Sequence, residues 1–389
     1  MNMANGLMGK VAAAGVGVLQ YKRAGAPYGE RGVLTRAIVA ACEDAGLDPA
    51  DVDGFVSYGD DHNQPDRLMP ELGTKEIRLS TSVWGGGGGG LLGAFELAAM
   101  AIATGQCKAA VVFRALVQGN SGRLSSAVMA HHVNNHFVAA GITAPAQICA
   151  LRAMRMALQH NLPQEAVEQL VLADYYHGSR NPEAVSYGQQ FDIETYRKSR
   201  WIAEPLRLFD CSRENDGAGA ILLVSAEHAR DLKQKPVYLL GAATGAEKGW
   251  GDLLENDDDY TSTGFEPVAR RLWEMTGLGP RDIDVTQLYE NFTYQGISSL
   301  VGHGLISWES AAEDLKFDNL IAPSGKLPVN TSGGNLAQGF IHGINIAVEA
   351  VRQLRGQSAN PVPDARTCLV CGGPGSPINS SAIFANELP

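Results

Sequence analysis

Apolar positions run through this chain in two rhythms. Stretches such as Val33 to Ala41 and Pro267 to Trp273 carry apolar residues at helical spacing, and short apolar runs such as Ala109 to Phe113 and Thr367 to Cys371 read as buried strands. Leu91 to Ile102 is apolar almost all round, the pattern of a helix enclosed on every side. It is too short for a membrane span and contains Glu96.

The pattern repeats. Gly46-Leu47-Asp48-Pro49-Ala50-Asp51-Val52-Asp53 returns as Gly277-Leu278-Gly279-Pro280-Arg281-Asp282-Ile283-Asp284, with six of eight positions identical or exchanged between Val and Ile. Each copy follows a helical stretch, which the glycine ends by taking a left-handed conformation. Each then enters a predicted strand, Gly54-Phe55-Val56-Ser57-Tyr58 or Val285-Thr286-Gln287-Leu288-Tyr289. Further on, the glycine run Gly85 to Gly90 leads into a helix, Gly105-Gln106 and a strand. In the second half Thr331-Ser332-Gly333-Gly334 leads into a helix to about Leu354, then Gly356-Gln357 and a strand. A glycine-flanked helix between strands, twice over, predicts an α/β fold of two similar halves. Residues 1–117 with 209–235 form the first half, 236–389 the second. Residues 118–208, with helices predicted over Ala146 to Gln159 and Pro163 to Tyr176, form an inserted loop domain.

Composition narrows the function. The chain has 389 residues, 45% hydrophobic and 19% charged, with 45 Gly and a net charge of −11. Disorder does not fit the apolar fraction, and no basic footprint suits a nucleic acid. The N-terminus lacks the basic and apolar regions of a secretory signal. Six scattered cysteines then read as free thiols in a reducing compartment, and a cytoplasmic protein is expected. Cys368 and Cys371 fall within a strand and lack the further ligands of a metal site. His131-His132 with His136 has ligand-like spacing if helical, but no carboxylate stands near, so no metal is assigned. Asp257 to Asp259 reads as a solvated acidic turn, and Arg123, Arg197 and Lys198 as surface pairs or contacts for an anionic ligand.

Two α/β halves with a loop domain inserted in the first resemble the thiolase superfamily. The segment from Ala203 to Ala220, Asn330-Thr331-Ser332-Gly333-Gly334 and the terminal Cys371-Gly372-Gly373-Pro374-Gly375 are similar to the sterol-carrier-type thiolases. The resemblance implies a layered α/β/α/β/α arrangement and a site at the glycine segments. Against it, Gly88 stands where the nucleophilic Cys is expected, Leu369 at the second Cys, and Phe340 at the Gly-His-Pro histidine. Tyr289-Glu290-Asn291-Phe292 replaces a His-led segment. Glycine can neither form an acyl-enzyme nor move a proton.

These departures resemble the thiolase-like steroid side-chain-cleaving aldolases. That resemblance implies retro-aldol cleavage of a steroidal β-hydroxyacyl-CoA to a ring ketone and a short acyl-CoA, typically propionyl-CoA. It also implies a small OB-fold/zinc-ribbon partner around a homodimer core and no cofactor in this chain, any zinc residing in the partner. Tyr289 is the expected catalytic group. Phe340 cannot carry a proton where that family usually has a second Tyr, so His342, Tyr294 or water is left to protonate the enolate. Gly88, Asn291, Asn330, Gly334, Phe340, Gly372 and Gly373 are the expected substrate-binding positions. The competing readings are an acyl-CoA or lipid carrier on a catalytically dead scaffold and a thiolase-type acyltransferase.

Overall fold

The computed structural model describes residues 6–119, 135–247 and 259–388. Among them the chain forms eleven strands: β1 (Val11–Lys22), β2 (Gly54–Tyr58), β3 (Leu79–Val83), β4 (Ala109–Val117), β5 (Trp201–Ala203), β6 (Leu206–Arg207), β7 (Asn215–Ser225), β8 (Val237–Gly245), β9 (Val285–Leu288), β10 (Thr367–Gly372) and β11 (Asn379–Ala385). Nine of them pair in the order β3-β2-β4-β7-β1-β8-β11-β10-β9, with β5 and β6 apart as a small hairpin.

That order contains the repeat. β1, β2, β4 and β7 correspond to β8, β9, β10 and β11, and each set runs antiparallel except for the parallel β2–β4 and β9–β10 pairs. β3 has a one-residue echo in the parallel bridge between Thr286 and Val329. The halves join where β1 meets β8 at Ala12–Tyr238 and Ala13–Val237. Before β2 and β9 the chain makes the same sequence of turns. Gly46 and Gly277 cap their helices at φ 74° and 70°, and a single 3₁₀ turn follows, Pro49–Asp51 or Pro280–Asp282. Only glycine takes that conformation without cost.

Two helices lie between the halves. Leu91–Ala103 packs against strands of both, and so does Ile344–Leu354, while Glu30–Ala45 and Glu266–Thr276 cover the outer faces. The first of these is apolar almost all round because strands enclose most of it, with Leu97 and Met100 left exposed. Leu91, Leu92, Phe95, Ala98 and Ala99 are fully buried, each larger side chain worth about 1.5–3 kcal/mol. Its one acid, Glu96, accepts from the Thr244 hydroxyl at 3.0 Å, and burial pushes its pKa up.

The second central helix begins later than the sequence suggests. Thr331-Ser332-Gly333-Gly334 leads into a wide π-type turn over Gly334–Gln338, and the helix starts only at Ile344. Gly333, Gly334, Gly339 and Gly343 all hold positive φ, which a continuous right-handed helix cannot contain. The predicted helices between β4 and β7 are present as Pro145–Gln159 and Gln164–Arg180. Although this segment separates two strands of the first half, Gln164–Arg180 packs on Gly334–Gln338 and Thr293–Gly302 of the second. The Cys-x-x-Cys run forms β10, where Cys368 and Leu369 face opposite cores. His131, His132, Arg123, Asp257 and Asp258 fall outside the described residues. Arg197 pairs with Glu168, and Lys198 with Glu194. No helix among the described residues is long and apolar enough to cross a membrane.

The shared turn is testable. A methyl group at Gly277 would meet nothing, so Gly277→Ala should cost only its left-handed backbone, about 1–2 kcal/mol. Gly46→Ala should cost more, because the new methyl lies 3.1 Å from Lys233 Cβ. Denaturant unfolding of both variants measures the difference.

Candidate active site

In a parallel α/β layer, ligands collect at the carboxyl ends of strands and the amino ends of helices. Here those ends from both halves converge. Tyr289 leaves the end of β9, and its backbone N–H donates to the Cys371 carbonyl at 3.0 Å, which sets the phenol beside the loop that begins at Gly372. The ring then lies across the start of the Leu91–Ala103 helix.

The contact at Gly88 decides the local geometry. A Cβ on Gly88 would stand 2.0 Å from Tyr289 Cε2 and 2.5 Å from Cδ2, so the ring occupies the space a side chain at 88 would need. A Cβ at Gly343, itself at φ 84°, would also come within 2.7 Å of the same ring. Phe340 closes another side, edge-on with ring centroids 5.8 Å apart. Behind the glycine run, the terminal glycine loop approaches backbone to backbone. A Cβ on Gly373 would sit 2.3 Å from Gly89 Cα, and one on Gly372 2.9 Å from the Gly88 carbonyl oxygen.

Among the described residues, Arg114 brings positive charge to this pocket. Arg114, on β4, is buried and pairs through Nη1 with Asp61 at 2.9 Å, both side chains almost wholly enclosed. Its Nε and Nη2 approach Nδ1 of His342 at 3.1 and 3.0 Å. His342 itself holds φ 47°, and its carbonyl accepts from the buried Tyr58 hydroxyl at 2.8 Å. Burial, then the Arg114 charge, push the His342 pKa well below the ordinary histidine range. Burial likewise raises the Tyr289 phenol above its usual value; Arg114 and a backbone hydrogen bond at Gly88 pull the other way without cancelling it.

Behind Tyr289 lies a second layer. Glu290 is fully buried and its Oε1 accepts from the backbone N–H groups of Asn335 and Leu336, the latter at 3.3 Å. Gly334 makes that possible, because a Cβ there would fall 2.0 Å from Oε1. Asp174, from the helix Gln164–Arg180, faces Glu290. Burial raises both carboxyls, and the Glu290 charge raises Asp174 further, so the pair keeps a proton on the Asp174 side. Asn330 locks this layer: its Oδ1 accepts from the Leu288 N–H at 2.7 Å, and its Nδ2 donates to Asp174 at 3.4 Å.

Tyr289, His342, Phe340, Gly88, Gly372 and Gly373 therefore meet in one place. Asn330 and Gly334 stand one layer behind, in contact with Glu290. Asn291 is spent on local backbone: its Oδ1 accepts from the Phe292 N–H at 3.1 Å and its carbonyl from the Ser212 N–H at 2.9 Å. Tyr294 turns away, its hydroxyl donating to Gln164 at 3.0 Å. Sequence reasoning missed Arg114, Asp61, Tyr58 and Asp174. Two signals existed: Arg114 is the lone charge in an apolar strand, and Tyr58 is the repeat mate of Tyr289.

Comparison with known proteins agrees with this architecture. Residues 246–385 match the family described as thiolase C-terminal domain-like. The chain is 35% identical to the 17-hydroxy-3-oxo-4-pregnene-20-carboxyl-CoA lyase of Mycobacterium tuberculosis, over 95% of this chain and 98% of that one. It is 33% identical to a steroid side-chain-cleaving aldolase of Thermomonospora curvata, over 98% and 99%. Among solved structures, the Ltp2-ChsH2(DUF35) aldolase superposes with a TM-score of 0.89 at 33% identity, covering 97% of this chain and 98% of that one. The acetyl-CoA acetyltransferase of Syntrophomonas wolfei, at 15% identity and a TM-score of 0.71 over 98% and 100%, shares the fold. With a third of its residues shared across nearly the full length of such relatives, the chain belongs to the thiolase superfamily, in the family of the steroid side-chain-cleaving aldolases.

Proposed function

We propose that this protein cleaves a steroidal β-hydroxyacyl-CoA by a retro-aldol reaction, with Tyr289 as the proton-transfer group. The observation that carries the reading is the Tyr289 ring resting where a side chain at position 88 would be. A nucleophilic cysteine at 88 and this phenol compete for one volume. Chemistry that needs no acyl-enzyme is then what the pocket suits.

The proton inventory closes on one tyrosine. As phenolate, Tyr289 takes the proton of the tertiary hydroxyl. The oxygen's electrons form the ring ketone, the bond from the carbinol carbon to Cα breaks, and its electron pair passes to the thioester as an enolate. Tyr289 then returns the proton to Cα, giving the short acyl-CoA, such as propionyl-CoA, and regenerating the phenolate. No second acid is required, which suits a pocket where Phe340 can supply none. Keeping the phenolate in a dry site opposes the burial effect on Tyr289, and Arg114 offsets part of that cost. The CoA thioester rests against the glycine segments, with Gly88, Gly372 and Gly373 giving close backbone approach, while Asn330 and Gly334 support that wall from one layer behind and Asn291 holds local backbone.

The Ltp2-ChsH2(DUF35) relative is an assembly, so we extend a DUF35-type, OB-fold/zinc-ribbon partner on a homodimer core to this chain as part of the same proposal.

Mass spectrometry of products tests the reading. A 17-hydroxysteroid β-hydroxyacyl-CoA given to the chain with its partner should yield a ring ketone and propionyl-CoA without added CoA. Binding with no product would point to a carrier, and cleavage only with added CoA to a thiolase.

Tyr289→Phe should lower kcat about 10²–10⁴-fold while substrate still binds, as expected for loss of general acid–base catalysis. Because burial raises the phenol pKa, the ionised fraction grows with pH; kcat/KM should climb from pH 6 to 9 without an acid-side plateau. Gly88→Ala should displace the Tyr289 ring and lose activity as severely as Tyr289→Phe, while Gly105→Ala, at an open surface turn, should not.

A further inference from the structure

His342 is the second ionisable group in the pocket, and its geometry fixes which nitrogen holds the proton. Two N–H groups of Arg114 converge on Nδ1, from Nε at 3.1 Å and Nη2 at 3.0 Å. A guanidinium has donors only and keeps its proton at every accessible pH. Nδ1 can therefore only accept, and a proton there would face two N–H groups head-on. The imidazole proton is left on Nε2.

Arg114 is held to this task from its far edge. Asp61 takes Nη1 at 2.9 Å and itself accepts from the Ala115 and Asn63 backbone N–H groups, at 3.3 and 2.7 Å. Tyr58, on β2, fixes the His342 carbonyl and with it the left-handed backbone at φ 47°. The groups facing His342 are thus Arg114 and Asp61 from the first half, Tyr58 beside them, and Tyr289 across Phe340 from the second. Nε2 meets no hydrogen-bond partner among the described residues, yet it is not one of the enclosed orphan atoms. A small part of His342 reaches accessible space, and the Phe340 ring stands 5.1 Å from the imidazole.

We propose that Arg114 is a positioning residue that locks His342 in the neutral Nε2–H tautomer, making it a fixed hydrogen-bond donor to the oxygen on which enolate charge develops. For that oxygen the inference rests on the retro-aldol reading; the tautomer lock does not. His342 then acts as a neutral donor and not as the acid that protonates Cα. A donor that never titrates stabilises the oxyanion equally well across the range where Tyr289 gains its phenolate.

Two readouts test this separately. In the full chain with ¹⁵N-labelled histidine, the His342 resonances, assigned by their loss in His342→Gln, should report Nε2–H and unprotonated Nδ1 unchanged from pH 5 to 8. A His342 that titrates in that interval, or carries its proton on Nδ1, overturns the lock whether or not the protein cleaves steroids. The second readout is kinetic. Arg114→Met paired with Asp61→Asn, so that no lone buried charge remains, should free His342 to titrate. It should add an acid limb to kcat/KM near neutral pH and lower kcat about 10²-fold with little change in KM. That new limb should vanish when His342→Gln is added. Arg114→Lys, which keeps a cationic donor, should retain the wild-type pH profile even if the paired variant fails to fold. An unchanged profile in a folded Arg114→Met/Asp61→Asn protein, or an Arg114→Lys profile with the acid limb, would sink the proposal. Failure to release propionyl-CoA with the tautomer intact would instead discard the retro-aldol reading alone.

Discussion

One volume, about the size of a side chain at position 88, organises the rest of the site. The Tyr289 ring fills it from the second half of the molecule, so the first half must offer bare backbone there. The consequence spreads outward. With no side chain at 88, the glycine run can press against the terminal loop, where a Cβ on Gly373 would meet Gly89 backbone at 2.3 Å and one on Gly89 would meet the Ile378 carbonyl oxygen at 2.0 Å. Gly343, the residue before the second central helix, bears on the same Cδ2–Cε2 edge of that ring. Positions 88 and 289 are consequently not independent. A small change at either one reaches both central helices, because the ring is the object they hold in common.

A second constraint follows from how dry this place is. Tyr58, Tyr289, Arg114, Asp61, His342, Glu290 and Asp174 are all ionisable and all enclosed. Buried charge is costly unless paired, and a buried pair is weak evidence for stability but strong evidence for a fixed geometry. The pairs here are arranged by side. In front of the ring, Arg114 is neutralised by Asp61 yet still lowers the Tyr289 phenol. Behind it, Glu290 raises the phenol, while burial pushes both the Glu290 and the Asp174 carboxyls toward their neutral forms. The phenol thus sits in a gradient, with favourable charge toward the pocket and unfavourable charge toward the scaffold.

Much of this was legible in the sequence, for identifiable reasons. The duplication could be read because each half reuses the same helix-ending glycine, proline turn and aspartates, all of which act locally. Tyr289 stood out because it heads the segment Tyr289-Glu290-Asn291-Phe292, which replaces a His-led segment of the resembled family at the end of a predicted strand. Arg114 could not, since the apolar run seemed to stop at Phe113, whereas β4 continues to Val117 and buries its one cation. Its partner His342 lies 228 positions away, and no periodicity links them. The late start of the second central helix was hidden for a related reason. Gly333, Gly334, Gly339 and Gly343 look like tolerated glycines in an apolar segment, but each takes positive φ, and Gly334 does so to make room for a carboxylate. Asn330 was found by its motif, while its work, closing the end of β9 against Asp174, depends on a helix from the distant insertion.

The duplication also explains why the chemistry is lopsided. Tyr58 and Tyr289 occupy the same place in the repeat, at the ends of β2 and β9, and the fold brings both hydroxyls toward the same pocket. Tyr58 is committed, its O–H donated to the His342 carbonyl at 2.8 Å. Tyr289 keeps its oxygen at the amino end of the first central helix, where the backbone hydrogen bond at Gly88 favours the ionised form. The difference is set by what each ring meets. Glycine at 88 leaves a bed for Tyr289, whereas Tyr58 finds a backbone carbonyl held outward by left-handed strain at His342. A symmetric scaffold thus supplies two phenols and spends one on holding the other's neighbour in place.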